Sequence, residues 1–229
     1  MKKIFILSFI IICSICSSVS WADIIDFESG GYSEGDSVGT VVTNTNTVSF
    51  YQGKGPNGGV FSLYIAEVGG TTQYAFRTIT DTNDTIYDNP IGGSPGIYFL
   101  TDRNLQANAE SYYFQFDSPV TSLSMDLYDF DNGSGQAVLT AFSGVNWTGS
   151  VGTSTPISSV GDGSVVNLDL SSTSEPFLSA SLTWINGSID DETGIDNFTF
   201  TTVPIPGAFW LICSCLICLF GIKKKKGYH

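Results

Sequence analysis

The middle of this chain repeats short runs of Val, Ile, Thr, Phe and Tyr, separated by Gly, Asn, Asp and Ser. Such runs are typical of strands that end in tight turns, and no stretch of useful length has helical periodicity. Many short strands with polar turns predict an all-β domain, an antiparallel two-sheet sandwich arranged like a jelly roll. We predict strands at residues 24–28, 47–52, 60–66, 73–79, 97–100, 112–116, 121–128, 136–142, 165–170, 179–185 and 195–201.

The start of the chain has the pattern of a secretory signal peptide. Lys2 and Lys3 precede an apolar run over residues 4–16. Ser20 and Ala22 then fit the small positions before a cleavage site after Ala22. We therefore predict that signal peptidase removes residues 1–22 and that residues 23–202 form the exported β domain.

The end of the chain has the pattern of a membrane anchor. Residues 207–222 carry no charge and follow Pro204 and Pro206, which permit a helix to begin only after them. A helix of that length covers roughly 24 Å, slightly less than the roughly 30 Å of a bilayer core. The lysines at 223–226 can reach the interface and stay in the cytoplasm. The segment 203–229 is thus predicted to hold the β domain outside the inner membrane.

The same segment resembles a known sorting signal. Its order of Pro-x-Pro, apolar helix, basic cluster and chain end resembles the PEP-CTERM class, in its Val-Pro-hydrophobic-Pro variant, with Ile205 where Glu is usual. The resemblance implies a Gram-negative source, processing by an exosortase (a membrane protease-transpeptidase) and delivery to the cell surface or the exopolysaccharide matrix. The residues that it assigns to sorting and processing are Val203, Pro204, Ile205, Pro206, Lys223, Lys224, Lys225 and Lys226.

The residue types of the exported domain exclude several functions. All five cysteines and the single histidine, His229, lie outside it. This excludes disulfides, thiol nucleophiles, Ser-His-Asp triads and histidine-ligated metals in the domain. Cys213, Cys215 and Cys218 in the anchor are either acylation sites or small apolar side chains.

The net charge of the exported domain limits the classes of partner that it can bind. It has three basic residues against all 22 acidic residues of the chain, a net charge of −19. Such a surface repels nucleic acid and attracts divalent cations. Glycoside hydrolysis needs only two carboxylates, so a glycosidase or lyase stays open as an alternative. It is the least favoured of the alternatives.

A second resemblance concerns the exported domain itself. The segments IDFE at residues 25–28 and GIDNFTF at residues 194–200 resemble the first and last strands of MAM-like and carbohydrate-binding-module-like jelly rolls. We therefore expect a non-catalytic surface or matrix protein associated with exopolysaccharide. The alternative is a secreted carbohydrate-binding module with a defined sugar site.

Two tryptophans bear on this choice. Trp147 lies among small and polar residues in GVNWTGS. It is either a stacking platform for a sugar ring or a rim residue that covers the open end of the core. Trp184 is in phase with Leu182 and Ala180 and is predicted to lie in the core.

A structural calcium ion is the one cofactor that the sequence suggests. In jelly rolls of the resembled kind the first and last strands run close together. Asp26 and Glu28 are two residues apart and should share one face of the first strand, with Ile25 and Phe27 facing the core. Asp196 has the parity of the core-facing phenylalanines that follow it, but at the entrance of the last strand it could turn its carboxylate to the end of the sheet. Because calcium prefers several carboxylate oxygens, we predict that Asp26, Glu28 and Asp196 share a calcium site.

Overall fold

The structure is a computed structural model that describes residues 22–28, 30–53, 63–67, 98–101, 111–128, 135–158, 165–171, 173–185 and 193–203. Within these ranges the chain forms 13 strands and no helix, which confirms the predicted all-β class. The strands are β1 (Ala22–Ile25), β2 (Ser37–Val38), β3 (Thr40–Val42), β4 (Thr47–Gly53), β5 (Leu63–Glu67), β6 (Tyr98–Thr101), β7 (Ser111–Tyr128), β8 (Gln136–Phe142), β9 (Ser150–Thr153), β10 (Ile157–Ser158), β11 (Val165–Leu170), β12 (Phe177–Ile185) and β13 (Gly194–Thr202).

These strands form two layers that share β7. The front sheet runs β3, β4, residues 111–116 of β7, β12 and β8, with β9 and β10 paired to the other edge of β8. The back sheet runs β11, residues 120–128 of β7, and β13, whose other edge pairs with β1 and β6. β5 and β2 continue from β6. Every pairing is antiparallel, as predicted for the sandwich.

Strand β7 passes from one sheet to the other at the exposed residues 117–119. Before this corner the core-facing side chains are even-numbered, as at Phe116, and from Leu123 onward they are odd-numbered. The sequence predicts two separate strands here, at 112–116 and 121–128, and this prediction is wrong. Pro119 lacks an N–H but is compatible with extended backbone, so the strand bends and continues.

Phenylalanine rings from both sheets form the centre of the core. Phe50 and Phe114 of the front sheet lie 5.3 Å and 4.9 Å from Phe198 of the back sheet, measured between ring centroids. Phe116 lies 5.3 Å from Phe200 in the same way. The alternation of buried and outward side chains therefore brings the aromatic faces of distant strands into one contact region.

Most of the other predicted strands agree with the structure to within one or two residues. The first strand is shifted: it spans Ala22–Ile25 rather than 24–28, and the short strands β2, β3, β9 and β10 are not predicted. Runs of two to four residues are too short to show a clear alternation. The predicted strand at 73–79, the signal peptide and the anchor lie outside the described residues.

Ala22–Thr202 forms one compact unit. In the part of the chain that the structure describes, no helix has the length and hydrophobicity needed to cross a bilayer.

Candidate functional site

The outer surface of the front sheet carries a row of aromatic and hydroxyl side chains. Tyr51 of β4 lies opposite Tyr113 of β7, Tyr113 lies opposite Ser181 of β12, and Ser181 lies opposite Thr140 of β8. The neighbouring row consists of Ser49, Gln115, Ser179 and Phe142. Because side chains alternate along each strand, these residues point away from the core that their neighbours fill.

The loop between β8 and β9, residues 143–149, is a tight hairpin. The N–H of Ser143 donates to the carbonyl of Gly149 at 2.8 Å, and the N–H of Gly144 donates to the carbonyl of Thr148 at 3.0 Å. Asn146 and Trp147 at its tip both have φ of +59°. Asn tolerates this left-handed conformation, whereas in Trp it is uncommon and costs about 1–2 kcal/mol. The tip is therefore strained at Trp147, and other contacts must compensate.

Hydrogen bonds to β12 provide that compensation. The indole N–H of Trp147 donates to the carbonyl of Ala180 at 3.2 Å. The backbone N–H of Trp147 donates to the hydroxyl oxygen of Ser179 at 3.3 Å, and that hydroxyl donates to the carbonyl of Gly144 at 2.7 Å. Ser179 is completely buried. Its hydroxyl thus joins both sides of the hairpin to the sheet and fixes the position of the indole.

Ring contacts complete the placement of Trp147. Its indole lies 4.6 Å from the ring of Tyr113 and 5.8 Å from the ring of Tyr51, between centroids, with planes inclined at 60° and 87°. Trp147 and Tyr51 are partly exposed, and Tyr113 is buried beneath them. We refer to the surface formed by Tyr51, Tyr113, Trp147 and the two rows of the front sheet as the Trp147 face.

The Trp147 face combines π-surface with neutral hydrogen-bonding groups. Burial raises the pKa of Tyr113, an effect that a hydrogen bond with Ser111 partly offsets, so its phenol stays protonated at neutral pH. The polar side chains of the two rows are hydroxyls and an amide. Aromatic rings beside hydroxyl and amide groups suit a ligand with an apolar face and a hydroxyl-rich edge.

Of the two sequence hypotheses for Trp147, the geometry does not match a rim residue over the open end of the core. Its aromatic neighbours Tyr51 and Tyr113 point outward from the front sheet. Tyr51 was detectable from the sequence, because it alternates with the core residues Val48 and Phe50. Tyr113 and Ser179 were not, since aromatic or apolar neighbours flank them on both sides. Trp184 packs against the core, as predicted, with its ring 6.2 Å from that of Tyr112.

The three predicted calcium ligands lie near the two paired terminal strands. β1 pairs antiparallel with β13, so the first and last strands are neighbours as expected. Ile25 and Phe27 are buried while Asp26 and Glu28 are exposed, which confirms the predicted faces. The carboxylate of Glu28 accepts a hydrogen bond from the backbone N–H of Tyr98.

Asp196 does not lie on the face that its parity predicts. Asn197 has φ of +49° and inserts one extra residue into β13: Asp196 pairs with Asp126, and Thr199 pairs with Ser124. This β-bulge turns Asp196 to the face opposite the core-facing Phe198, where its side chain is still only 2% exposed. The parity argument is wrong for this residue because alternation counts residues and cannot detect an inserted one.

The described surroundings of Asp196 are polar. Asp126, opposite Asp196, accepts hydrogen bonds from the amide groups of Asn167 at 2.8 Å and Asn197 at 2.9 Å. Burial, followed by the negative charges of Asp196 and Asp126, raises the pKa of Tyr128. Among the described residues, no group of three or more His, Cys, Asp or Glu side chains is placed to hold a metal ion. The calcium site stays a prediction.

Comparison with solved structures finds matches of low sequence identity and low TM-score. The family 11 carbohydrate-binding module from Clostridium thermocellum, in complex with a β-1,3-1,4-mixed-linked tetrasaccharide, has a TM-score of 0.33 and 10% identity over 82% of this chain and 99% of that chain. The adhesin domain of Lys-gingipain from Porphyromonas gingivalis W83 has a TM-score of 0.27 and 12% identity over 82% and 99%. The catalytic domain of a GH87 α-1,3-glucanase has a TM-score of 0.31 and 11% identity over 76% and 30%.

No protein-family model and no curated protein sequence matches the chain.

Proposed function

We propose that this chain is an exported, non-catalytic surface or matrix protein whose β domain binds neutral polysaccharide on the Trp147 face. The observation that carries this proposal is the placement of Trp147 in a left-handed conformation over Tyr51 and Tyr113. Backbone strain that is maintained by surrounding contacts is concentrated at functional sites in proteins. An indole needed only to fill space would not require a strained backbone.

The fixed position of the indole supports ring stacking. Ser179 and the Ala180 carbonyl hold Trp147 before any ligand arrives, so little conformational entropy is lost on binding. A pyranose ring has an apolar face that packs on an aromatic ring and hydroxyls that need donors and acceptors at its edge. Tyr51, Gln115 and Ser49 offer both kinds of contact beside the indole.

Charge favours neutral glycans over acidic ones. The exported domain has a net charge of −19, and the polar side chains of the Trp147 face carry no positive charge that would attract a uronate or sulfate. The ligand class that fits is a neutral hexose polymer of an exopolysaccharide layer.

In this proposal the two ends of the chain direct the protein to its location. A signal peptide exports the chain, and residues 203–229 hold it in the inner membrane until an exosortase cleaves near Pro204 and Pro206. The mature protein then reaches the cell surface or the extracellular matrix, where a polysaccharide-binding domain retains it. The order of prolines, apolar run and lysines supports this sequence of events.

The test is affinity electrophoresis of the full-length protein in gels that contain a mixed-linked β-glucan, another neutral glucan or the acidic polymer alginate. We expect a neutral polymer to retard wild type, and Trp147→Ala to weaken the apparent affinity about tenfold, the loss of one stacking contact. Ile24→Ala, a change at an exposed residue of β1, is the matched control and should bind as wild type does.

Two results would contradict the proposal. One is equal retardation of wild type and Trp147→Ala when both have the same circular dichroism spectrum. The other is the appearance of new reducing ends on incubation with the polymer, which would favour the glycosidase alternative.

A further inference from the structure

A cleft lies between two edge strands of opposite sheets. In the described part of the chain, β1 pairs only with β13 of the back sheet, and β3 pairs only with β4 of the front sheet. Residues of both strands line the same cleft of about 560 Å³, with Tyr32 and Gly30 beside them. The cleft is therefore bordered by the edge of β1 on one side and by the edge of β3 on the other.

The protection of these edges against pairing is limited to their shortness and to one inward-pointing charge, that of Asp23. Natural edge strands are blunted by Lys, Pro, bulges or inward-pointing charges, because an exposed edge accepts another strand. β1 reads ADII and β3 reads TVV, and their outward residues Ile24 and Val42 are 64% and 76% exposed. They are among the most exposed large apolar side chains of the described residues.

The one charged side chain that points inward from β1, that of Asp23, is held by hydrogen bonds. Asp23 is 8% exposed, and its carboxylate accepts hydrogen bonds from the hydroxyls of Thr43 and Thr45 and from the backbone N–H of Thr45 at 3.1 Å. These bonds connect β1 to the turn after β3 and hold the two edges at a fixed separation. The turn thus occupies Oδ2 of the carboxylate, and the negative charge that remains attracts a cationic segment rather than repelling it.

We propose that the cleft between β1 and β3 binds an extended segment of a partner protein by strand addition, and that this segment alternates apolar residues with Lys or Arg. Edge backbone groups supply the affinity in this mode, and alternate side chains supply the specificity. An apolar side chain next to Ile24 or Val42 would cover surface that is now exposed.

Charge complementarity selects the cationic partner. The described residues contain no Lys or Arg, and they carry acidic side chains on both sheets. A second copy of this chain would bring the same negative charge, so self-association through these edges is opposed. Lysines or arginines in the added strand would instead be attracted to the surface that surrounds the cleft.

The test uses the full-length protein and a fluorescein-labelled eight-residue peptide that alternates Lys with Val. Fluorescence anisotropy is measured at low and at high salt, and again with a peptide whose alternate amides are N-methylated. N-methylation keeps charge and hydrophobicity but removes edge hydrogen bonds. Ile24→Lys and Val42→Lys each place a like charge on an edge. Ile185→Lys adds the same charge at the far end of β12 and is the matched control.

We expect the unmodified peptide to bind wild type and Ile185→Lys equally, and to bind each edge variant at least about tenfold more weakly. The N-methylated peptide should not bind. Two results would show that the peptide binds by general charge attraction alone and would overturn the proposal. One is equal binding of both peptides to wild type, and the other is a loss of affinity in Ile185→Lys equal to that in the edge variants. Displacement of the peptide by neutral glucan, or a wild-type dimer that Ile24→Lys abolishes in sedimentation, would assign the cleft to another occupant and also overturn it.

Discussion

The indole of Trp147 lies 4.6 Å from the phenol ring of Tyr113, measured between ring centroids. This contact joins the tip of a hairpin loop to the central strand of the front sheet. The hairpin folds back over the sheet at this point, although a loop at the edge of a sandwich usually extends into solvent. What fixes the loop is the buried hydroxyl of Ser179, and the first prediction concerns that group.

Ser179→Ala removes the hydroxyl that bonds both Gly144 and the backbone N–H of Trp147. We expect a loss of about 1–3 kcal/mol in the free energy of unfolding, because a part-buried carbonyl loses its partner. Polysaccharide affinity should fall as well, since the indole is no longer held in place. Ser181→Ala, two residues along the same strand and also buried, is the control and should leave the near-ultraviolet spectrum of Trp147 unchanged. Identical unfolding curves and affinities for Ser179→Ala and wild type would contradict this role.

Asn146 tests the strain at the tip of the hairpin. Replacement by Ala should destabilise the protein by about 1 kcal/mol, because Ala has no compensation for φ of +59°. Replacement by Gly should restore most of that loss, since Gly adopts positive φ freely. Denaturant unfolding of the two variants gives the comparison. Equal stabilities for Ala and Gly would mean that the left-handed conformation is not maintained in solution.

Asp23→Asn tests the connection between β1 and the turn at residues 43–46. The buried carboxylate accepts bonds from Thr43 and Thr45, and an amide cannot accept all of them. We expect a loss of about 2–3 kcal/mol in unfolding free energy, measured by denaturant titration. The exposed Asp169→Asn is the control. A double-mutant cycle with Thr45→Val should show that the two losses are not additive; additive losses would exclude the connection.

The predicted calcium binding is supported by the net charge of residues 23–202 and not by an observed arrangement of ligands. We expect the thermal midpoint of the protein to rise in millimolar calcium relative to EGTA, because an ion bound only by the native state raises stability. Asp196→Ala should reduce that rise if Asp196 is a ligand. A midpoint that stays constant across both conditions, in wild type and variant alike, would eliminate the calcium site.

The C-terminal lysines test the sorting signal. Replacing Lys223–Lys226 with Ser should leave the protein secreted without an anchor or inserted in the wrong orientation, because the positive charges set the orientation of the apolar segment. Cell fractionation gives the distribution, and mass spectrometry shows whether the mature chain ends near Pro206 or at His229. Unchanged membrane retention and surface delivery in the Ser variant would show that these residues do not act as the signal.

The sequence by itself determined the all-β class, most strand positions and the face of most side chains. Alternation has a period of two and depends only on neighbouring residues, so the inward turn of Leu123, Met125 and Leu127 was predictable from a single segment. Composition likewise excluded thiol and histidine chemistry from residues 23–202, because no fold can supply residues that the chain lacks there.

Only the tertiary structure decided where the exceptions lie. The bulge at Asn197 turned Asp196 to the opposite face, and it exists because β13 pairs with β7 on either side of one extra residue. Trp147 lies on the front sheet because Ser179 and Tyr113, 32 and 34 residues away, bind and stack with it. Cross-strand hydrogen bonds and ring contacts join residues far apart in the chain, so no local pattern contains them.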